Sequence, residues 1–539
     1  MSEGPVTNGD SLALSVDRDG IIGETDSSSV DSLPLYVDLD GTLLKTDSLH
    51  EGLAAVLKEQ PWVLFLLFFW LLRGRAYLKQ RVAHLAASDV ACWPYDQTVL
   101  NYVRAQHRQG RPTILATGAD AAVARTVIEH LGCFSDLLAS DGVKNLIGSS
   151  KLELILEQCP DGQFEYIGNS QHDRPIWQRA KLRAVAGVPR SRTVGADGRM
   201  QRYGVEHQRV FFRDTSRFSS LLRAMRPHQW AKNLIVFIPV ILAHRYGNLP
   251  TVIDGAFAFL SLSIVASATY LFNDLLDLQA DRLHSRKCRR PLAQGDISLV
   301  LAGIAGLVLL TVGGTLAALM LPSSFLLALT IYCVISLTYS AFFKRAAIVD
   351  VVILAGLYVV RIFAGAAATT TPVSQWLLVF ALFFFLSLAL IKRATELLRM
   401  PSTRQPNDIG NSAGPADGGT HSNHVDAVRS NGRGYVAQDT PVIIGFGVAT
   451  GVASPVVLGF YLTTHAATQI YDAPTWLLLA IPMLLYWIAR MWLVTCRGNM
   501  DSDPVAFALR DKQSYFVGLL LIATVLVARH SSFVTWIVN

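Results

Sequence analysis

The stretch Asn273-Asp274-Leu275-Leu276-Asp277-Leu278-Gln279-Ala280-Asp281 ends a long apolar segment with a series of acidic side chains. On an α-helix Asn273, Asp277 and Asp281 recur every four residues, and since they drift by only about 40° per step they share one face. Asp274 points about 100° away from Asn273. Carboxylates beside a membrane are costly unless a cation neutralises them, so this helix end predicts a functional site.

A run of cations follows the acidic stretch directly: Arg282, Arg286, Lys287, Arg289 and Arg290. Oxygen ligands in pairs suit Mg²⁺, and Mg²⁺ in proteins commonly accompanies phosphate. Metal-binding acids followed by phosphate-binding bases therefore predict a diphosphate site at a membrane face.

Composition divides the chain of 539 residues, which is 51% hydrophobic and 16% charged, into two regimes. Residues 1–230 have the composition of a soluble protein, whereas residues 233–528 are mostly apolar runs long enough to cross a bilayer. We predict about nine transmembrane helices, of which the first is the shortest: 233–246, 251–272, 297–320, 323–341, 350–369, 375–391, 440–463, 475–493 and 514–529.

The net charge of +6 is distributed unevenly over the loops between these spans. Alternate loops hold nearly all the Lys and Arg, which predicts a multi-pass protein of the inner (cytoplasmic) membrane with its N-terminal domain in the cytoplasm. Bases confined to alternate loops argue against nucleic acid as a partner. The sequence indicates no particular oligomeric state.

The six cysteines form no C-x-x-C pair, which favours a reduced compartment and argues against structural zinc. Residues 1–30 are acidic and rich in Ser and Gly, and they lack the apolar core of a signal peptide, so they are predicted to be a disordered lead. Residues 401–439 are predicted to be a flexible cytoplasmic loop.

Polar side chains follow three apolar strand patterns in the soluble part. Residues 33–37 run into Asp38-Leu39-Asp40-Gly41, residues 112–116 into Thr117-Gly118, and residues 165–167 into a segment ending at Asp173. Ligands of open α/β sheets bind at the carboxyl ends of the strands. Two carboxylates at that edge can divide the work of a nucleophile and of an acid/base.

Residues 33–178 resemble the haloacid-dehalogenase-like (HAD) phosphohydrolases, through Asp38-x-Asp40-Gly41-Thr42, Thr117, Lys151 and Gly168…Asp173 in the family's order. The resemblance implies a Rossmann-like α/β domain, which we place at 31–205 including a linker. It also implies that Asp38 is the nucleophile, that Asp40 is the general acid/base, and that Thr117 and Lys151 hold the phosphoryl group. The implied Mg²⁺ ligands are Asp38, Asp40, Asn169 and Asp173, with Asn169 standing where the family usually has Asp.

Residues 61–72, Pro-Trp-Val-Leu-Phe-Leu-Leu-Phe-Phe-Trp-Leu-Leu, are too short to cross a bilayer. They lie between the first two motifs, where HAD proteins insert a cap. Two interpretations stay open: a buried cap helix, or a helix lying against the membrane.

A second polar constellation lies in the membrane half, at Tyr339, Lys344, Asp350 and Arg361. Asp350 would begin the fifth span, and Arg361 would lie about three turns further in, where its burial needs a counter-charge. We expect Asp350, Arg361 and the acidic helix end to converge on one cavity. Before the first span, Lys232 is either an interfacial anchor or a phosphate ligand.

Residues 220–528 are similar to the UbiA superfamily of intramembrane prenyltransferases, through Asn273-Asp274-x-x-Asp277-x-x-x-Asp281 and Lys287-x-x-Arg290-Pro291. The second constellation is most similar to the decaprenyl-phosphate phosphoribosyltransferase branch. The resemblance implies an all-α membrane domain, here 206–539, that joins 5-phosphoribose from phosphoribosyl pyrophosphate to a polyprenyl phosphate. The implied Mg²⁺ ligands are Asn273, Asp277, Asp281 and Asp350. The implied substrate-binding residues are Lys232, Arg282, Lys287, Arg290, Tyr339, Lys344 and Arg361.

Two alternatives remain at this point. One is prenyl transfer from a polyprenyl diphosphate to an aromatic acceptor, against which the absence of a second paired-Asp motif near Asp350 weighs. The other is a transporter with a regulatory soluble domain. The fusion itself suggests that the HAD-like domain removes the 5-phosphate from the lipid product.

Overall fold

The structure of the chain is a computed structural model. It describes residues 21–22, 33–86, 89–141, 145–190, 200–213, 216–399, 434–462, 471–501 and 503–529. Nearly all of the predicted lead, and most of the predicted loop 401–439, lie outside these residues. The chain forms two compact units, one made of residues 1–226 with 270–306 and the other of residues 227–269 with 307–539.

A seven-stranded sheet forms the centre of the first unit. Its strands are β1 (Ile21–Ile22), β2 (Leu35–Val37), β3 (Thr113–Asp120), β4 (Asp136–Ser140), β5 (Glu165–Gly168), β6 (Leu182–Pro189) and β9 (Arg209–Arg213). They lie in the order β1-β9-β6-β5-β2-β3-β4, and every pairing is parallel except that of β1 with β9. Two short strands, β7 (Met200–Arg202) and β8 (Val205–His207), form a separate antiparallel pair. The predicted α/β domain with a parallel sheet is confirmed.

Helices cover both faces of this sheet because successive side chains of a strand point to opposite faces. The helices between Ser48 and Met225, of which α4 to α7 pack on the sheet, are α1 (Ser48–Glu59), α2 (Leu64–Leu72), α3 (Arg75–Leu85), α4 (Gln97–Arg108), α5 (Ala121–Leu131), α6 (Ser149–Gln158), α7 (Arg174–Arg179) and α8 (Arg217–Met225). Leu35 and Val37 pack with residues of α4 and α5, whereas Tyr36 packs with residues of α6 and α7. Strand β2 therefore lies in the middle of the domain, and its carboxyl end opens onto the predicted site.

The acidic helix end belongs to the same unit as the α/β domain. There α10 (Leu249–Leu276) is followed by α11 (Leu278–Leu283). The loop after α11 packs tightly on the domain: Gly295 has φ +72°, and a Cβ added to it would lie 3.0 Å from both Lys45 and Pro94. Glycine is therefore the residue that fits at this contact.

The remaining helices are α9 (Ile238–Leu242), α12 (Leu299–Met320), α13 (Ser323–Ala341), α14 (Val349–Ala368), α15 (Gln375–Leu398), α16 (Thr440–Leu462), α17 (Ala480–Cys496), α18 (Pro504–Ala508) and α19 (Lys512–Arg529). Eight helices of the described chain are long and apolar enough to cross a membrane, namely α10, α12 to α15, α19, and α16 and α17 with their leading turns. They correspond to eight of the nine predicted spans.

The ninth predicted span, 233–246, is not confirmed. Its residues form the end of a 3₁₀ helix (Pro227–Phe237) and the five-residue helix α9. Pro239 lies in the first turn of α9 and has no N–H to continue the hydrogen bonding of the preceding turn, which accounts for the change of helix type there.

Candidate active sites

The acidic stretch keeps its helical hydrogen bonds although the backbone dihedral angles at Asp277 are not those of an α-helix. Asp277 N donates to Asn273 O at 2.9 Å, and Asp281 N donates to Asp277 O at 2.8 Å, although Asp277 itself has φ −96° and ψ 4°. Asn273 and Asp277 are partly exposed, whereas Asp274 and Asp281 are each only 2% exposed. The buried face of this helix end is therefore the one that carries Asp274 and Asp281.

Asp274 and Asp281 are joined by one guanidinium group. Arg290 Nη1 lies 3.1 Å from Asp274 Oδ1 and forms a short ion pair with Asp281. Arg226 Nη2 lies 2.5 Å from Asp274 Oδ1, and Lys287 Nζ lies 3.8 Å from Asp281 Oδ1. Burial raises the pKa of Asp281, while Arg290 and Lys287 act in the opposite direction. Two carboxylates, Asp274 and Asp281, and three cations therefore meet here.

A four-residue spacing selects Asn273, Asp277 and Asp281 as candidate metal ligands and leaves out Asp274. Asp274 and Asp281 are seven residues apart, and that spacing returns a helix to the same face after two turns. A test of seven-residue spacing would have detected the pair.

The donor atoms at this place fit a divalent cation. Asp274 Oδ2 is buried and accepts no hydrogen bond from the described residues, which leaves one carboxylate oxygen available as a ligand. Across the described ranges, no group of three or more His, Cys, Asp or Glu side chains is placed to hold a metal ion. Mg²⁺ is commonly held by only one or two carboxylates together with water and substrate phosphates, so a pair of carboxylates is sufficient.

Arg282 has a different environment from the other cations of the run. Its Nη1 and Nη2 lie 2.8 and 2.7 Å from the two carboxylate oxygens of Glu51 on α1, and its Nε donates to Ala293 O at 3.2 Å. Both side chains are almost fully buried. This geometry ties the loop after α11 to the α/β domain, a different role from the substrate binding predicted for Arg282.

Arg361 in the second unit is surrounded by neutral polar and aromatic groups. Its Nε donates to Asn233 Oδ1 at 2.9 Å, and its Nη2 donates to Tyr332 OH at 3.1 Å. The guanidinium carbon also lies 4.8 Å from the ring centroid of Tyr332 and 5.1 Å from that of Tyr358. The expected counter-charge is not found among the described residues, because neutral oxygens and aromatic faces take its place.

Asp350 is fully buried and is contacted by two donors. Arg393 Nε lies 2.6 Å from Asp350 Oδ2, and Tyr435 OH donates to Asp350 Oδ1 at 2.5 Å. These donors hold Asp350 inside an ion pair and a hydrogen bond, and its role as a metal ligand stays a prediction. Arg393 is the partner that sequence reasoning missed.

The other predicted residues of the second unit lie in three different elements. Tyr339 is near the end of α13, and Lys344 is in a 3₁₀ turn, Phe343–Arg345, that follows it. Lys232 forms a short ion pair with Asp503, the residue that caps α18. Asp503 keeps a lowered pKa through Lys232, even though burial acts to raise it.

In the α/β domain, Asp38 and Lys151 meet at the carboxyl end of β2. Lys151 Nζ lies 2.7 Å from Asp38 Oδ1 and 3.2 Å from Tyr166 OH, and Thr42 Oγ1 donates to Asp38 Oδ2 at 3.4 Å. Burial raises the pKa of Asp38 to about 6, against the lowering effect of Lys151. Burial acts to lower the pKa of Lys151, but the charges of Asp38 and Asp173 outweigh it and raise that pKa, which keeps the ammonium charged. The structure therefore brings the predicted nucleophile and cation into contact.

Asp40 and Thr117 lie at the same edge of the sheet. Asp40 Oδ1 accepts from Ser48 N at 2.7 Å, and burial followed by the charge of Asp47 raises the pKa of Asp40 to about 7. A carboxyl group with such a pKa retains its proton near neutrality, as a general acid requires. Thr117 is fully buried on β3, and its Oγ1 accepts from Ala119 N at 3.0 Å.

Asp173 and Asn169 differ in the roles that the geometry allows. Asp173 Oδ1 accepts from Tyr166 OH at 2.7 Å, and Oδ2 accepts from the backbone N of Asn169 and of Ser170 at 3.1 and 3.0 Å. Oδ2 of Asp173 thus holds the loop, Oδ1 is bound by Tyr166, and the metal-ligand role of Asp173 stays a prediction. The amide of Asn169 faces Gly41 (φ +75°), where an added Cβ would lie 1.9 Å from Nδ2. The side chain of Asn169 therefore packs against the loop that carries Asp38 and Asp40, and only glycine at position 41 leaves room for it.

Comparison with known proteins places the membrane half in a family. The UbiA prenyltransferase family matches residues 233–399. An uncharacterised protein, y4nM, of Sinorhizobium fredii is 35% identical over 89% of this chain and 88% of its own length. The decaprenyl-phosphate phosphoribosyltransferase of Mycobacterium tuberculosis is 30% identical over 57% of this chain and 93% of its own length.

A solved structure of a UbiA homolog from Archaeoglobus fulgidus, bound to GPP and Mg²⁺, is also similar. It covers 57% of this chain and 99% of its own, with 16% identity and a TM-score of 0.42. With the family match and a relative of 30% identity that is covered almost from end to end, the chain belongs to the UbiA prenyltransferase family and is a multi-pass membrane protein.

Proposed function

We propose that the membrane part of this protein transfers 5-phosphoribose from phosphoribosyl pyrophosphate to a polyprenyl phosphate. The observation that carries the proposal is the meeting of Asp274, Asp281 and Arg290, flanked by Arg226 and Lys287. Arginine and lysine side chains that pair with carboxylates in this way can also bind phosphate oxygens when phosphoribosyl pyrophosphate enters the site. The similarity to decaprenyl-phosphate phosphoribosyltransferases supports this choice of substrates over an aromatic acceptor.

Mg²⁺ is the cofactor of this proposal, held by Asp274 and Asp281 with Asn273 and Asp277 beside them. When bound, Mg²⁺ neutralises the negative charge of the leaving pyrophosphate. Arg290 lies between the two carboxylates, where its guanidinium would bind the pyrophosphate. Lys287 and Arg226 add positive charge on either side of it.

The transfer itself needs little chemistry from the protein. The bond between ribose C1 and the pyrophosphate oxygen breaks, and an oxygen of the lipid phosphate forms the new bond to C1. The lipid phosphate is ionised at neutral pH, so no general base takes part, and inorganic pyrophosphate leaves with both electrons of the broken bond. Catalysis is then positioning together with electrostatic stabilisation by the arginines and lysine.

The α/β domain removes the 5-phosphate of the lipid product in this proposal. One Asp38 oxygen attacks phosphorus while Asp40 gives its proton to the departing ribose oxygen, which produces an aspartyl-phosphate and a free 5-hydroxyl. Water then cleaves the aspartyl-phosphate, with Asp40 taking a proton from it, and releases inorganic phosphate. The contact of Lys151 with Asp38 at 2.7 Å supports this assignment, because the ammonium stabilises the phosphoryl oxygens during both steps.

We also propose that both reactions face the cytoplasm, from the cytoplasmic membrane. Phosphoribosyl pyrophosphate is a soluble, charged donor that would reach the site from the cytoplasm. The positive-inside rule predicts that the Lys- and Arg-rich loops, including the one with Lys287 and Arg290, face the cytoplasm.

A radiolabel experiment tests the transfer. Detergent-purified protein is given Mg²⁺, a polyprenyl phosphate and phosphoribosyl pyrophosphate labelled in the ribose, and label in the extracted lipid is counted. We expect label in the lipid with the intact chain and about a 100-fold loss with Asp274→Asn. Asp254→Asn, 20 residues earlier on α10, is the matched control and should keep its activity. Label that never enters lipid, together with prenylation of an aromatic acid from a polyprenyl diphosphate, would refute the proposal.

A further inference from the structure

Helix α2 and the turn before it expose an unusual amount of apolar surface. Trp62 is 58% exposed, Phe65 77%, Phe68 65%, Phe69 61% and Leu72 70%. The structure thus excludes the interpretation of this segment as a buried cap helix. An apolar patch of this kind marks an interaction surface, since soluble domains seldom leave one uncovered.

The charges around the helix indicate what covers this surface. Between Gln60 and Ser88 the chain has no Asp or Glu and four Lys or Arg, all of them after Leu72. Arg73 and Arg81 are both exposed or partly so, and they lie 5.5 and 5.6 Å over the ring of Tyr77. An apolar helix flanked by cations and aromatic rings matches the interface of an anionic membrane, where acyl chains meet lipid phosphates.

A second copy of the chain fits this surface less well. Two such segments would bring the exposed Arg73 and Arg81 of both copies together, and that repulsion opposes pairing. The segment from Trp62 to Leu72 is also too short to cross a bilayer but long enough to lie along its surface. The same chain carries eight candidate membrane spans, so a bilayer is always near.

Helix α3 connects this surface to the phosphatase-like site. Lys79 Nζ donates to Gly118 O at 2.6 Å and to Asn145 Oδ1 at 3.4 Å. Gly118 directly follows Thr117, one of the predicted phosphoryl ligands. Lys79 of α3 therefore connects the segment that follows the apolar helix to the rim of the site.

We propose that Trp62–Leu72 lies in the headgroup region of the membrane and holds the α/β site against it. That site would then act on phosphate esters carried by membrane lipids rather than on soluble sugar phosphates. The membrane contact stands on exposure and charge, whereas the substrate class rests on the proposed phosphatase function.

Photo-crosslinking tests the membrane contact without depending on catalysis. The full chain, with Phe69 replaced by photoreactive p-benzoylphenylalanine, is placed in nanodiscs that contain phosphatidylglycerol, irradiated and analysed by mass spectrometry. We expect lipid adducts at position 69 and none at Gln109, an exposed residue just after α4 that serves as the matched control. Adducts to a second chain, or no lipid adduct at position 69, would overturn the membrane contact.

A second measurement tests the substrate class. The double variant Phe65→Ser/Phe69→Ser should lower hydrolysis of a lipid-borne phosphoribose relative to that of ribose 5-phosphate by about tenfold or more. An equal fall for both esters would contradict the proposed role in substrate choice. If neither ester is hydrolysed by the unaltered chain, the phosphatase proposal fails, while the crosslinking result still decides the membrane contact.

Discussion

The ion pair of Glu51 with Arg282 predicts a large stability change from a single-atom substitution, Glu51→Gln. The pair is bidentate, at 2.7 and 2.8 Å, and both side chains are at most 5% exposed. Thr46 Oγ1 donates a third hydrogen bond to the carboxylate, at 2.6 Å. Replacing one oxygen by an amide keeps the shape of the side chain but leaves the Arg282 charge buried without its counter-ion.

The expected cost follows from that burial. Removing one partner of a buried pair costs about 3–5 kcal/mol, whereas an exposed pair is worth about 1 kcal/mol or less. The oxygen of the introduced amide would still accept one hydrogen bond, so we expect the lower end, about 3 kcal/mol. For a unit of this size such a loss lowers the unfolding midpoint by about 6–12 °C.

Thermal unfolding followed by tryptophan fluorescence, with all variants in one detergent, measures this effect. Glu59→Gln changes an exposed carboxylate at the end of the same helix and is the matched control, with an expected loss below about 1 kcal/mol. The double variant Glu51→Gln/Arg282→Met should be more stable than Glu51→Gln alone, because no charge is then left unpaired. A midpoint for Glu51→Gln equal to that of Glu59→Gln would refute the reasoning.

Three further predictions concern other buried groups. Asp281→Asn should lower lipid labelling about as much as Asp274→Asn, roughly 100-fold in the same radiolabel assay, because Arg290 joins the two carboxylates. Arg393→Met should cost about 3–5 kcal/mol in thermal unfolding, since it leaves buried Asp350 uncompensated, and Asp350→Asn added to it should restore part of the loss. Burial lowers the pKa of His207 to about 4, so the folded state holds its imidazole neutral. As pH falls from about 6.5 towards 4, the unfolded chain binds this proton before the folded chain does, so about 3 kcal/mol of the free energy of unfolding should be lost. Thermal unfolding midpoints measured across this pH range should show the loss in the unaltered chain and not in His207→Phe.

The strands of the α/β domain were predictable because their signals are local. The apolar run before Asp38 corresponds to β2, the run before Thr117 to the start of β3, and residues 165–167 to β5. Once these three strands are parallel neighbours, their carboxyl ends must share one edge. The proximity of Asp38 to Lys151 follows from that topology.

The pairings between distant residues were not predictable in the same way. Arg282 finds Glu51 across 231 residues, and Asp350 finds Arg393 and Tyr435 across 43 and 85. No periodicity in the sequence reports such contacts, because they depend on which helices pack together. The sequence therefore predicts that Arg282 is a further phosphate-binding cation, although in the structure its charge is paired with the buried carboxylate of Glu51.

We propose that one chain joins phosphoribose to a lipid phosphate and then removes the 5-phosphate. Mass spectrometry of the lipid formed from Mg²⁺, phosphoribosyl pyrophosphate and a polyprenyl phosphate tests both steps in one measurement. We predict polyprenylphosphoryl ribose from the intact chain and the 5-phosphorylated form from Asp38→Asn, with equal total product. A lipid phosphate that stays unchanged with both proteins would contradict the account of the transferase, and a fully phosphorylated product from both would contradict that of the phosphatase.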